Sequence, residues 1–270
     1  MDNFSSAAFR RAVYAHFEKE GRALPWRKKV TPYRTFVSEI MLQQTQVPRV
    51  AEFFPRFMKR FPNWKRLAEA GLKDVLAAWR GLGYNRRARF LHEAARQVAA
   101  QYKGRLPGDP EKLLALPGIG KATAASIAAF GFNRPAVFVE TNIRAVFIHH
   151  FFPGRKNVTD AELLPLVERT LDKKNPRRWY SALMDYGTAL KRLHGNPARR
   201  SAHHVRQSKF EGSSRQARGA LLHRLVASKR GMTVSALAQI TSLNEKRTAA
   251  LLAALVRDGL VKERRGYFRV

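Results

Sequence analysis

Apolar residues recur three and four positions apart from Ser5 to about Leu193, a spacing that predicts helices throughout. The runs Val37–Val47, Lys73–Trp79, Arg87–Tyr102 and Ala122–Ala129 carry it most clearly. Phe4, Phe9, Val13 and Phe17 mark one face of a first amphipathic helix. Pro25, Pro32, Pro62, Pro107, Pro110, Pro117, Pro135 and Pro153 punctuate the stretch as turns. No β-alternation of any length interrupts it, so residues 1–193 are read as one all-α domain.

The pattern then changes. Residues 194–218 are basic, contain Ser and Gly, and are poor in apolar positions, as in a linker or an ordered basic loop. From Gly219 a compact module is predicted, residues 219–270. Leu221, Leu222, Leu225 and Val226 form one helical face, and Thr233–Ile240 a short second helix. Asn244–Arg257 forms a third helix with Leu251, Leu252 and Leu255 inward. Two short strands follow around a turn at Arg265–Gly266. That order is a winged helix, whose last helix ordinarily enters a major groove. Lys246 and Arg247 on that helix, and Lys262, Arg264, Arg265 and Arg269 on the wing, favour DNA over the alternative of a protein-binding winged helix.

Charge narrows the partner. Among 270 residues, Lys and Arg number 51 against 20 acids, a net charge of +31, which points to a polyanion and by default to nucleic acid. At 45% apolar the chain can bury a real core. No apolar run approaches a membrane span. The N-terminus lacks the features of a signal peptide, with an organelle transit peptide as the alternative reading. With no cysteine, disulfides, thiolate zinc sites and cysteine-held iron–sulfur clusters are excluded. We expect a monomer in the cytoplasm, nucleoid-associated if bacterial, acting on double-stranded DNA and bound to no membrane. His203 and His204 lack the spacing and carboxylate partners of a metal site, so no metal is expected.

The chemistry concentrates in LPGIGKATAASIAAFG, Leu116–Gly131, and in VETN, Val139–Asn142. Gly118 and Gly120 permit a tight turn and close backbone approach. The helix after them opens at Lys121, Ala122 and Thr123, where free N–H groups and the Lys121 ammonium would meet a phosphate. A Gly-x-Gly alone ordinarily marks a turn; the full string reads as a helix–hairpin–helix phosphate clamp.

That string, with LPWR (Leu24–Arg27), VSEIMLQQTQV (Val37–Val47), GLGYNRRAR (Gly81–Arg89) and MDYG (Met184–Gly187), resembles the helix–hairpin–helix DNA glycosylase superfamily. It is nearest to the MutY-type adenine glycosylases and more distantly similar to endonuclease III and thymine-mismatch glycosylases. The likeness covers the N-terminus to about Leu193 and implies a two-lobed helical domain. It implies that Glu39 protonates the departing base, Gln44 wedges into the base stack, and Leu42 lies beside the pocket. Trp26 and Arg27 match the pocket wall, Tyr84 a loop that approaches the lesion strand, and Asp185 a pocket or helix-end acid. Glu140 stands where the family has the aspartate that supports the sugar cation, with Asn142 as its polar companion.

Base excision explains why two acids are wanted. The base is extruded from the duplex, and its departure leaves an oxocarbenium-like sugar. One carboxylate should stay ionised near C1′, while a second, its pKa raised by burial, protonates the base. Glu39 sits among Val37, Ile40, Met41 and Leu42, a setting that would raise it. Read without the motifs, Glu39 would be a solvated helix residue and Glu140 a helix cap.

The chain departs from the family pattern in four ways. Glu replaces Asp at 140. Ala122 stands where endonuclease III carries its Schiff-base lysine, so a monofunctional enzyme without lyase activity is expected. The four-cysteine cluster expected after MDYG is replaced by Lys191–Arg218, which we expect to contact DNA instead. A winged helix stands where the MutY-type enzyme has its reader of 8-oxoguanine. The expected function is therefore excision of mispaired adenine, with no cofactor. Uracil or mismatched thymine is the alternative substrate, and a non-catalytic lesion-binding or regulatory protein the alternative class.

Overall fold

The structure, a computed structural model, describes residues 5–205 and 209–270. Phe4, counted on the first helical face, and part of the basic segment lie outside them. The described chain is mainly helical, as the spacing predicts. In order it forms α1 (Ser6–Glu20), α2 (Pro32–Leu42), α3 (Val47–Arg60), α4 (Trp64–Glu69), α5 (Leu72–Trp79) and α6 (Arg86–Gln101). Then come α7 (Pro110–Leu114), α8 (Lys121–Phe132), α9 (Thr141–Phe151), α10 (Asp160–Thr170) and α11 (Pro176–Leu193). The C-terminal part adds α12 (Ser214–Ala227), α13 (Val234–Thr241), α14 (Glu245–Arg257), β1 (Lys262–Arg264) and β2 (Tyr267–Arg269).

By contact the chain divides into two compact units that do not follow chain order. The first holds described residues 5–39, 107–115 and 119–205. Its core is built on Phe9, Val13, Phe138, Val146, Phe147, Trp179, Tyr180 and Leu183, all buried. Phe9 meets the rings of Phe147 at 5.3 Å and Trp179 at 5.9 Å, both edge-on, the favoured geometry for aromatic pairs. Helix α11 packs along α9 and α1. Gly187 makes the α9 contact close: a Cβ there would stand 2.5 Å from the Asn142 carbonyl oxygen.

The segment after α11 is ordered by an arginine. A short 3-10 turn at Pro197–Arg200 packs on α9. Arg200 donates to the carbonyls of Phe152 at 2.6 Å and Ile148 at 3.2 Å, adding a second donor to each at the end of α9. Ser201 bridges to Val158 in a parallel pair. The start of the basic segment is thus an ordered loop.

The second unit holds residues 40–106, 116–118 and 209–270. Helices α3 to α6 and the winged helix share it, with α12 packed on α5. Arg87 ties its first part together. The buried guanidinium donates to the carbonyls of Ile40 (3.1 Å), Met41 (2.7 Å), Leu82 (3.1 Å) and Gly83 (3.0 Å). It therefore caps the C-terminal turn of α2, whose last carbonyls have no helical partner.

In the winged helix, Arg265 (φ 53°) and Gly266 (φ 77°) take the two left-handed positions of the hairpin turn, which suits the twist of the strands. Met232 pairs with Phe268 through both backbone hydrogen bonds and adds a third short rung that strand alternation does not reveal.

Candidate active site

Glu39, Glu140 and Asn142 come together in the first unit. Glu39 lies near the end of α2, on a turn whose neighbours Phe36, Val37 and Ile40 are buried. Its Oε2 accepts a hydrogen bond from the Ser126 hydroxyl on α8. Burial pushes the Glu39 carboxyl up to about 7; the Ser126 hydrogen bond opposes that rise and the negative charge of Glu140 adds to it. A carboxyl in that range is protonated in a large fraction of molecules near neutrality and can act as an acid.

Glu140 is the N-cap of α9. Its Oε1 accepts from the backbone N–H of Asn142 at 2.6 Å and Ile143 at 3.0 Å, and its Oε2 from the Asn142 side-chain amide at 3.3 Å. Burial raises its pKa on balance, although the Ile143 N–H, the Lys191 ammonium and both Asn142 donors oppose the rise. Every hydrogen-bonding neighbour of this carboxylate is a donor, the arrangement that suits the ionised form. The longer side chain at 140 still folds back to cap its own helix.

Arg27 and Asp185 lie in the same unit and bind each other. Arg27 donates to Asp185 at 2.8 and 3.0 Å, and Arg22 donates to it from backbone N–H (2.8 Å) and Nε (2.7 Å). Burial pushes Asp185 up, but Arg27 and Arg22 outweigh it and hold the carboxyl below its ordinary range. A buried acid engaged by two arginines joins the segment before α2 to α11. Trp26, beside Arg27, is half-buried.

The hairpin before α8 has the features of an anion clamp. Gly118 has φ 79°, Gly120 is the N-cap of α8 with no side-chain cap, and Lys121 and Ala122 are exposed while Thr123 is half-buried. The N-terminus of an α-helix is the end that favours an anion.

Leu42, Gln44 and Tyr84 fall in the second unit. Gln44 (φ 56°) and Tyr84 (φ 47°) both hold left-handed backbone conformations, uncommon for such residues and often found at functional positions. They line a cleft of about 310 Å³ with Gln43, Arg86, Arg215 and Arg218. Arg215, from α12, hydrogen-bonds the Tyr84 hydroxyl and lies 5.3 Å from its ring centre. The exposed cations Lys246, Arg247, Lys262, Arg264 and Arg265 lie in the same unit, on α14 and the wing.

Ser126 was not expected at the site, Gly187 entered only as part of MDYG, and Lys191 only as the first residue of the basic segment expected to contact DNA. Ser126 had a signal, being the lone hydroxyl within Ala124–Ala129, an otherwise apolar stretch of helix. Lys191 had none, because its partner Asn142 is remote in sequence. The resemblance implies an iron–sulfur cluster after MDYG, but the chain has no cysteine to hold one. There the Arg200 clamp on α9 supplies a cross-link. Among the described residues, no group of three or more His, Cys, Asp and Glu could hold a metal ion, and no helix is long and apolar enough to cross a membrane.

Residues 37–169 match the family model described as HhH-GPD superfamily base excision DNA repair protein. An adenine DNA glycosylase of Mycolicibacterium smegmatis is 33% identical over 278 residues, covering 92% of this chain and 90% of that protein. One of Buchnera aphidicola is 38% identical over 188 residues, 68% of this chain; the chain spans about half of that relative's length, 52%. Among solved structures, a thermostable thymine-DNA glycosylase aligns with TM-score 0.60 and 26% identity, over 67% of this chain and 85% of that one. A non-covalent endonuclease III–DNA complex aligns with TM-score 0.54 over 71% of this chain and 87% of that one; at 17% identity it speaks for the fold alone. The chain belongs to the HhH-GPD superfamily of base excision DNA repair proteins and is a homologue of the adenine DNA glycosylases.

Proposed function

We propose that this protein is a monofunctional DNA glycosylase that removes mispaired adenine from duplex DNA. The observation that carries the reading is the contrast between two carboxyls in one cluster. Burial raises both, Glu39 to about 7; Glu140 differs in carrying two backbone N–H donors at a helix N-terminus, the Asn142 amide and the nearby Lys191 charge, all of which favour its ionised form. A pair of acids with unequal sets of donors and charges around them can divide acid and electrostatic work between them.

In this reaction the C1′–N bond breaks and its electron pair leaves with the base, which takes the Glu39 proton. Glu140 stays ionised and stabilises the cationic sugar. Water then adds to C1′, and its proton returns to Glu39. Ala122, in place of a Schiff-base lysine, supports hydrolysis without lyase action. The adenine glycosylase relatives support adenine as substrate. The thymine-DNA glycosylase neighbour and the lengthened acid at 140 make mismatched thymine or uracil the second reading.

The test is single-turnover base release on duplexes bearing adenine–8-oxoguanine, adenine–guanine, thymine–guanine, uracil–guanine and 8-oxoguanine–cytosine, each with and without alkali. Release from the adenine duplexes, with breaks only after alkali, is expected. Thymine or uracil release alone would move the substrate. Tight binding with no release anywhere would leave a lesion-binding protein, and breaks without alkali would overturn the monofunctional reading.

A further inference from the structure

Helix α11 brings a lysine to the carboxylate from behind. Gly187 lets α11 approach the first turn of α9 so closely that a Cβ would collide with the Asn142 carbonyl. Lys191 lies one turn further along α11, and side chains on a helix tilt back toward its N-terminus. Its Nζ accordingly reaches Asn142, donating to Oδ1 at 2.9 Å.

This contact has a consequence that follows from donor and acceptor types. An ammonium only donates, so it fixes the Asn142 amide with its oxygen toward Lys191. The amide nitrogen is then turned toward Glu140 Oε2, 3.3 Å away, and toward the Met184 sulfur at 3.7 Å. Rotating the amide by half a turn would set its oxygen against a carboxylate. The Lys191 charge itself also acts on Glu140.

We propose that Lys191 is a positioning residue for the base-release reaction: through Asn142 it orients the amide onto Glu140 and holds that carboxylate in its ionised, sugar-facing role. Lys191 touches neither base nor sugar in this scheme. The proposal rests on the role given to Glu140 above. It also separates Lys191 from the surrounding basic residues, whose general task would be phosphate contact.

The test compares the full-length protein with Lys191→Met and Lys191→Arg, each first checked for unchanged circular dichroism and melting. In protein carrying ¹³Cδ-labelled glutamate, the Glu140 resonance is assigned by its loss in Glu140→Gln and then titrated. Its midpoint should move to higher pH in Lys191→Met, because a cation that favoured the ionised form is gone, and should stay near wild type in Lys191→Arg. Base release at saturating DNA should fall on the order of tenfold in Lys191→Met at pH 6 and less at pH 7.5, with recovery in Lys191→Arg. An unmoved Glu140 midpoint in Lys191→Met overturns the proposal. So does a weaker DNA affinity with a shallower salt dependence and unchanged single-turnover rate, which would make Lys191 a phosphate contact. If the wild type releases no base, the function proposed above fails, and the titration still decides whether Lys191 governs Glu140.

Discussion

In the unit that holds Glu39 and Glu140, polar side chains turn inward and bind one another; in the winged helix they turn outward. Glu39 meets Ser126, Glu140 meets Asn142, and Asn142 meets Lys191. Lys262, Arg264, Arg265 and Arg269 on the wing are all exposed. The first arrangement changes what a group is, since a desolvated carboxyl near 7 is a different reagent from a solvated one. The second gathers several cations on one exposed surface, where an effect on a polyanion would come from their number. Substitutions in the inward network should therefore alter chemistry or folding, and substitutions on the outward one should alter affinity and its response to salt.

The sharpest break in that contrast is Glu39→Gln. Base release should fall about a thousandfold, the scale of a lost general acid, while the dissociation constant for substrate duplex stays within a few fold. The wild-type rate should decline as pH rises through about 7, because the acting form of Glu39 is the protonated one. The same residue predicts a stability effect of definite sign. Its folded pKa lies above the ordinary value, so the folded state binds the proton more tightly, and stability is lost as pH rises from about 4.5 toward 7. Glu39→Gln should remove that part of the decline in a melting series across pH. A full rate in this variant would sink the role given to Glu39.

Next comes Gly187→Ala. A methyl 2.5 Å from the Asn142 carbonyl must push α11 off α9, which should cost about 1–3 kcal/mol in urea unfolding. Base release should drop further than stability alone explains, because the Asn142–Glu140 geometry depends on that approach. Unchanged stability and rate would show that α11 can yield without disturbing the site.

The smallest effect on chemistry belongs to the wing. Reversing Lys262, Arg264 and Arg265 to Glu should weaken duplex binding roughly ten- to a hundredfold at moderate salt and flatten the slope of log affinity against log salt. The single-turnover rate at saturating DNA should hold. A falling rate with intact affinity would mean that the winged helix enters the chemistry, and the two networks would no longer be separable.

Local signals made much of this legible. The 3.6-residue spacing gave the helices of both units, and the turn at Arg265–Gly266 gave the hairpin, because each depends on neighbours in sequence. The motif strings nominated Glu39, Glu140 and Asn142, which the fold brings into one unit. What escaped depends on partners far along the chain. Ser126 meets Glu39 across 87 positions, Lys191 meets Asn142 across 49, and Arg200 meets the Phe152 and Ile148 carbonyls across 48 and 52. Arg87 looked like one more basic residue in GLGYNRRAR, yet it is buried and caps α2.

The sequence by itself determined the helical fold, the glycine-bounded hairpin before α8, the winged helix and the high positive charge, since these follow from periodicity, glycine placement and composition. Tertiary structure decided how the parts are grouped and what the acids are. Only packing puts the winged helix in one compact unit with α3 to α6, and only packing withdraws water from both acids while surrounding Glu140 with donors. A carboxyl's proton affinity is set by the solvent and charges around it, and that surrounding is assembled from segments that the chain keeps far apart.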